Sequence, residues 1–75
     1  MSRLPILKPR QIIRALERAG FYLHHQTGSH ARFLHGTRPE LRVTVPVHSK
    51  DVPLAVLKRI LKQASLTEED FMGLL

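Results

Sequence analysis

The sequence predicts a two-layer α+β domain in which the main helices cover one face of a three-stranded antiparallel sheet. Two observations lead to this fold class. Two stretches carry apolar residues at helical spacing, and between them lie three short segments that alternate apolar and polar residues. The predicted order is α-β-β-β-α plus a short C-terminal helix. The 75 residues contain no repeat or linker, so we expect one domain over residues 1–75.

The first helix is predicted between a proline and a glycine. Pro9 suits the first position of a helix, and Gly20 suits the position just after its end. The apolar stripe between them consists of Ile12, Ile13, Leu16 and Ala19. Another face carries an arginine at every fourth residue, namely Arg10, Arg14 and Arg18, which we interpret mainly as a solvated surface.

Three predicted strands follow: Phe21–Gln26, His30–His35 and Leu41–Val45, with turns at 27–29 and 36–40. The side chains predicted to face the core are those of Phe21, Leu23, Ala31, Phe33, Leu41, Val43 and Val45. Because side chains alternate along a strand, another set should share the outer face, namely Tyr22, His24, His30, Arg32, Arg42 and Thr44. This outer face is expected to be open and polar.

The second helix is predicted to begin near Pro53, after a loop over Val47–Val52. Its apolar stripe is Leu54, Leu57, Ile60, Leu61 and Ala64, and the cations opposite are Lys58, Arg59 and Lys62. Thr67 is the predicted N-cap of the short last helix, and Leu66 is expected to pack on Phe71.

The charge is unevenly distributed. The chain has twelve Lys and Arg against six Asp and Glu. Residues 1–62 hold all twelve basic residues and three acidic ones, a net charge of +9, and the last thirteen residues hold three acidic ones. A basic body of this kind favours a polyanion or an acidic protein as partner, although it also suits a merely soluble surface.

Other protein classes are disfavoured by what the sequence lacks. The absence of cysteine excludes disulfides, thiolate metal sites and thiol nucleophiles, and it suits a reducing cytoplasm. No apolar run approaches the length of a membrane span, and Met1–Arg10 lacks an apolar signal core. We therefore expect a soluble cytoplasmic protein with no membrane partner.

Five histidines invite a metal-site hypothesis, but we expect no metal and no cofactor. The histidines lack HExxH spacing, and His24 and His25 should point to opposite faces of one strand. A nucleophilic serine–histidine pair is disfavoured in the same way, because the neighbouring side chains of Ser29 and His30 diverge in an extended strand.

RNA cleavage requires fewer catalytic groups from the protein than a metal site or a serine–histidine pair does. The ribose 2′-hydroxyl of the substrate is the nucleophile, so a histidine for proton transfer and cations for the phosphate suffice. His30, with Arg32 two residues on and Arg42 across the strand pair, would supply these groups. Tyr22 and His24 would stack on bases. From the residues alone, the interpretation of His30 as an ordinary exposed strand residue is favoured, because a lone histidine is a weak signal.

A family resemblance favours the catalytic hypothesis. The segment Gly28-Ser29-His30-Ala31-Arg32-Phe33, after a helix ending Ala19-Gly20-Phe21, resembles the GSH motif of the HicA family of mRNA interferase toxins. Val43–His48 resembles the strand-to-loop signature of that family, and Leu57–Ala64 through Glu69–Phe71 resembles its second helix and tail. Together these segments cover roughly residues 8–75 in the same order.

The resemblance implies a double-stranded-RNA-binding-like fold, metal-independent cleavage of single-stranded mRNA and catalysis by His30. It also implies a toxin neutralised by a HicB-type antitoxin that covers the active face. The RNA-binding candidates are Tyr22, His24, Gly28, Ser29, Arg32, Arg42 and Lys50. The sequence departs from the family at Val52-Pro53-Leu54-Ala55, where a Lys-Gly-Thr-like segment is usual, so the second helix should begin without a side-chain cap.

Two other functions compete with the toxin hypothesis. One is a non-catalytic RNA-binding module of the same fold. Such modules use lysines at the start of the last long helix, whereas residues 53–56 are uncharged here. The other is an interaction protein whose basic faces only dock an acidic partner.

Overall fold

The predicted order of elements is confirmed. A computed structural model describes residues 4–48 and 50–75, and its elements are α1 (Pro9–Arg18), β1 (Phe21–Thr27), β2 (His30–His35), β3 (Arg42–Pro46), α2 (Leu54–Ala64) and α3 (Glu68–Met72). The first strand runs one residue longer than predicted, and the third is shifted by one residue. Residues 1–3 of the predicted domain, and residue 49 of the predicted loop, lie outside the described residues.

The ends of α1 follow the sequence signals. Pro9 is the first helical residue, and Gly20 follows the C-cap with a φ of 101°, in a region that side chains rarely adopt. Before the helix, Leu7 pairs with Val52 in an isolated bridge. This bridge ties the N-terminal segment to the residues that precede α2.

The sheet is antiparallel with the strand order β1-β2-β3. Thr27 lies opposite His30, so only Gly28 and Ser29 form the turn between β1 and β2. Gly28 has a φ of 57°, as the first central residue of a primed hairpin turn requires. This tight turn fixes His30 as the first residue of β2.

The core lies between the inner sheet face and the helices α1 and α2, with Phe71 of α3 closing one side. Most predicted core residues are buried, but Leu23 and Leu54 are 51% and 45% exposed, so the prediction was wrong for both. Leu23 lies on the edge strand β1, two residues beyond the buried Phe21, and Leu54 is the first residue of α2. Both therefore occupy margins of the helical layer. Ala15, which the predicted stripe omitted, is fully buried.

The C-terminal segment is held at both ends of α3. Thr67 caps the helix, because its hydroxyl accepts a hydrogen bond from the Asp70 backbone N–H at 3.0 Å. The Arg18 guanidinium donates to the Leu74 carbonyl at 2.7 Å. Among the described residues, no helix is long and apolar enough to span a membrane.

A bulge in β1 changes the predicted alternation. Leu23 pairs with Phe33 and His25 with Arg32, which leaves His24 as the extra residue. His25 consequently lies opposite Arg32, on the outer face, whereas strict alternation placed it on the inner face. The argument that His24 and His25 point to opposite faces is therefore wrong.

Candidate nucleic-acid interface

The outer sheet face is organised by the pairing of β2 with β3. His30 lies opposite Pro46, Arg32 opposite Thr44, and Leu34 opposite Arg42. His30, Arg32 and Arg42 are all exposed, because both main helices pack on the other face. The prediction that these three side chains share an open face is confirmed by this register.

The register separates Arg42 from His30. Arg42 is four residues from Pro46, which is the partner of His30. At the rise of an extended strand, the two positions are about 13 Å apart along the sheet. Arg42 thus lies across the β2–β3 ladder on the same face, as expected, but it is not opposite His30, and Arg32 is the nearer of the two arginines.

Two shallow grooves lie on this side of the molecule. The first, the sheet groove, has a volume of about 290 Å³ and is lined by His24, Arg32, Phe33, Leu34, Arg42, Val43 and Thr44. β1 and β3 are not neighbours, so His24 must reach over β2 to share this groove with residues of β3. The bulge thus leaves His24 beside the two arginines, as the sequence predicted.

The second groove, the helix groove, contains His30. It has a volume of about 260 Å³ and is lined by His30, Thr44, Pro46, Val56, Arg59, Ile60 and Gln63. Thr44 lines both grooves, so the two grooves adjoin at Thr44. The predicted catalytic histidine and the predicted phosphate-binding arginines are therefore in adjoining grooves rather than in one cluster.

The wall opposite His30 is supplied by α2 at the open edge of β3. The Gln63 side-chain oxygen accepts a hydrogen bond from the Thr44 backbone N–H at 3.1 Å. This bond satisfies a donor that the edge strand would otherwise leave unpaired. Residues 56, 59, 60 and 63 have the spacing of a single helix face, so one face of α2 lines the groove.

Sequence reasoning missed the position of Arg59, since it placed Arg59 with Lys58 and Lys62 on the helix face opposite the apolar stripe. The two lysines line a different depression, beside Leu66 and Thr67, whereas Arg59 faces the groove of His30. The i, i+3, i+4, i+7 spacing of 56, 59, 60 and 63 was the available signal, but which strand edge α2 meets depends on tertiary packing.

The remaining predicted RNA-binding residues surround the grooves. Tyr22 is 49% exposed and lies opposite Leu34. Gly28 and Ser29 form the turn that precedes His30, and the Ser29 carbonyl accepts a hydrogen bond from the Val47 N–H. Lys50 is exposed in the loop before α2 and lines neither groove.

The two grooves are cationic. Within the described part of the chain, their linings include three arginines and two histidines and no carboxylate. Glu40 and Asp51 lie in loops, where they pair with Arg38 and Lys8 at 3.2 and 3.1 Å. Within residues 4–48 and 50–75, no three His, Asp or Glu side chains form a group that would hold a metal ion.

The histidines differ in their surroundings. His35 is half-buried, its Nε2 lies 2.9 Å from the Ala19 carbonyl, and its ring packs edge-on against Phe21 at 5.0 Å. His25 Nε2 lies 2.8 Å from the Thr27 hydroxyl. His30 is exposed and lines the helix groove. His35 is therefore a structural residue, and His30 is accessible to a ligand.

Comparison with known proteins identifies the family. No curated protein matches the chain. The sequence model of the HicA toxin of bacterial toxin–antitoxin systems matches residues 9–66, which is more than three quarters of the 75 residues. The match extends from the start of α1 past the end of α2 and includes both grooves. The chain therefore belongs to the HicA toxin family of bacterial toxin–antitoxin systems, and its family implies a cognate antitoxin as partner.

Proposed function

We propose that this chain is an endoribonuclease toxin that cleaves single-stranded mRNA without a metal ion, with His30 as its acid–base catalyst. The observation that carries the proposal is the position of His30. It is exposed in a groove whose other polar side chains, among the residues that the structure describes, are a threonine, an arginine and a glutamine. This set suits phosphate chemistry, because it offers donors and a cation and no competing carboxylate.

The reaction follows from the chemistry of the substrate. The ribose 2′-oxygen attacks the neighbouring phosphorus as the bond from phosphorus to the 5′-oxygen breaks. The products are a 2′,3′-cyclic phosphate and a free 5′-hydroxyl. The 2′-hydroxyl loses a proton and the leaving 5′-oxygen gains one; His30 performs one of these transfers, and solvent water performs the other. No atom changes its oxidation state in this reaction, so the reaction balances without an oxidant, cofactor or metal.

The surrounding surface suits a single strand of RNA. Arg32 and Arg42 are exposed beside the groove of His30, and both can bind phosphates bidentately. Tyr22 and His24 provide rings on which unpaired bases stack. Gly28 and Ser29 form the turn at the same end of β2 as His30. Lys50 adds a further positive charge in the loop before α2.

The proposal includes a partner and a location. The antitoxin is of the HicB type, and it neutralises the toxin by covering the outer sheet face. This agrees with the excess of positive charge on that face, since an acidic protein surface would complement it. The toxin acts in the cytoplasm, where mRNA is translated.

The test compares the wild-type protein with His30→Ala on a long single-stranded RNA in the presence of a chelator. Wild type should cut the RNA and leave 2′,3′-cyclic ends. His30→Ala should cut at least about a hundred-fold more slowly, as expected for the loss of one acid–base group. His48→Ala is the matched control, because His48 is exposed and lines neither groove.

Other outcomes would identify a different function. Equal cleavage by wild type and a folded His30→Ala protein would remove His30 as the catalyst. Binding of RNA by both proteins without cleavage would favour a non-catalytic RNA-binding module. If neither protein binds RNA but both bind the antitoxin, the basic surface only docks a protein.

A further inference from the structure

We infer that the helix groove is the binding site for the scissile phosphate, and that Arg59 is the side chain that holds it. This inference rests on the proposed function, which assigns proton transfer to His30. A proton donor or acceptor must lie next to the reacting phosphorus. Among the described residues, Arg59 is the one arginine or lysine that lines the same groove as His30, whereas Arg32 and Arg42 line the adjoining groove.

The position of Arg59 differs from that of the other cations on α2. Lys58 and Lys62 line a depression together with Leu66, Thr67 and Glu68, away from His30. Arg59 makes no ion pair or hydrogen bond with any described residue, so its guanidinium is available to a ligand. Its planar fork matches two oxygens of a phosphate, which an ammonium group does not.

The groove also has a fixed hydrogen-bond donor. Because the Gln63 side-chain oxygen accepts the Thr44 N–H, the side-chain nitrogen of Gln63 must present its two protons elsewhere. Gln63 lines the helix groove, so these protons are available to a phosphate oxygen there. The bond to the β3 edge holds this donor in place before substrate binds, which is the condition for effective charge stabilisation.

Apolar residues complete the site. Pro46, Val56 and Ile60 line the same groove, and they limit the water around a bound phosphate. An arginine–phosphate contact is stronger where water is partly excluded. Among the described residues, no residue of α2 lines the sheet groove.

The two grooves together define a path for the RNA. Thr44 lines both of them, so a strand whose scissile phosphate is held by Arg59 continues across Thr44 into the sheet groove. Arg32 and Arg42 then bind neighbouring phosphates rather than the reacting one. These arginines should contribute to affinity, and Arg59 should contribute to the rate of the chemical step.

The first test measures kcat and KM for RNA cleavage with single substitutions on α2. Arg59→Ala should lower kcat about a hundred-fold, the range for loss of one group that stabilises developing charge. Arg59→Lys should recover part of the loss, since it keeps the charge without the fork. Lys58→Ala and Lys62→Ala each remove one charge from the same helix and should change kcat less than about three-fold. Equal losses in all three alanine variants would overturn the inference.

Gln63→Glu provides an isosteric second variant. The carboxylate can still accept the Thr44 N–H, so the fold should persist, but it removes the two donors and places a negative charge beside the phosphate. Cleavage should fall more than in Gln63→Ala. A Gln63→Glu protein as active as wild type would show that the phosphate binds elsewhere. If Arg59→Ala cuts normally but escapes the antitoxin, the groove belongs to the antitoxin instead.

A binding readout separates this inference from the proposed function. The probe is a single-stranded oligonucleotide with 2′-deoxyribose at every position. It cannot be cleaved in this way, because it lacks the attacking 2′-oxygen. NMR titration should shift the side-chain N–H signals of Arg59 and Gln63, and Lys62 serves as the reference. These shifts would support the groove even if the protein cuts no RNA. Shifts confined to Arg32 and Arg42 would overturn it, even if His30 proves catalytic.

Discussion

Gly20 and His35 are packed so closely that a Cβ atom on Gly20 would lie 2.8 Å from Nε2 of His35. Gly20 joins α1 to β1, and His35 is the last residue of β2. The His35 ring fills the space that the missing side chain leaves, and its Nε2 lies 2.9 Å from the Ala19 carbonyl. The contact between Gly20 and His35 therefore connects the end of α1 to the end of β2.

Gly20→Ala is therefore expected to destabilise the fold by roughly 2–3 kcal/mol, because the φ of 101° is strained for alanine and the methyl group meets the ring. Urea unfolding measures the change. Gly36→Ala is the control, since a Cβ there meets only the Gly20 carbonyl at 3.5 Å and the cost should stay within about 1 kcal/mol. Equal losses in the free energy of unfolding for the two variants would contradict this explanation of the role of Gly20.

His35→Ala and His30→Ala should have opposite effects on stability and activity. Removal of His35 loses the contact with Phe21 and leaves the Ala19 carbonyl and the Arg38 N–H without their partner, so a cost of about 2 kcal/mol is expected. His30→Ala should cost less than about 1 kcal/mol, because His30 is exposed. Thermal unfolding and RNA cleavage on the same samples measure both effects. A His30 variant that unfolds far more easily than the His35 variant would reverse the assignment.

RNA binding should weaken steeply with salt, because phosphate contacts release counterions. Each such contact adds about 0.7 to the slope of log affinity against log salt for a single strand, so Arg42→Ala should reduce the slope by about 0.7. Arg32→Ala and Lys50→Ala should each reduce the slope by about 0.7 as well. Affinity for the 2′-deoxy oligonucleotide at several salt concentrations measures the slope. Arg10→Ala is the control, since Arg10 lies on α1, and a similar reduction there would show that the RNA footprint is not on the outer sheet face.

The fold was predictable from the sequence because local signals agreed with tertiary packing. Pro9 and Gly20 bracket α1, Thr67 caps α3, and the alternating segments became the three strands. The incorrect core predictions concern residues at the edge of the core. Leu23 and Leu54 were assigned to the core from periodicity, but periodicity does not show where the opposing layer ends.

The candidate site was predictable only in part. Alternation and the GSH motif gave the outer-face position of His30. The bulge at His24 escaped prediction because the extra residue is defined only by its pairing with β2. Arg59 escaped because the approach of α2 to the β3 edge is a long-range contact, visible in the bond between Gln63 and Thr44.

The bulge in β1 has a consequence for behaviour at high concentration. β1 is an outer strand of the sheet, with a half-exposed leucine on it, and a straight strand of this kind is a template for pairing with another molecule. The extra residue at His24 interrupts the regular spacing of donors and acceptors and increases the local twist. A neighbouring strand would lose register at that point. The irregularity that brings His24 to the sheet groove is thus expected also to disfavour pairing of β1 with a strand of a second molecule.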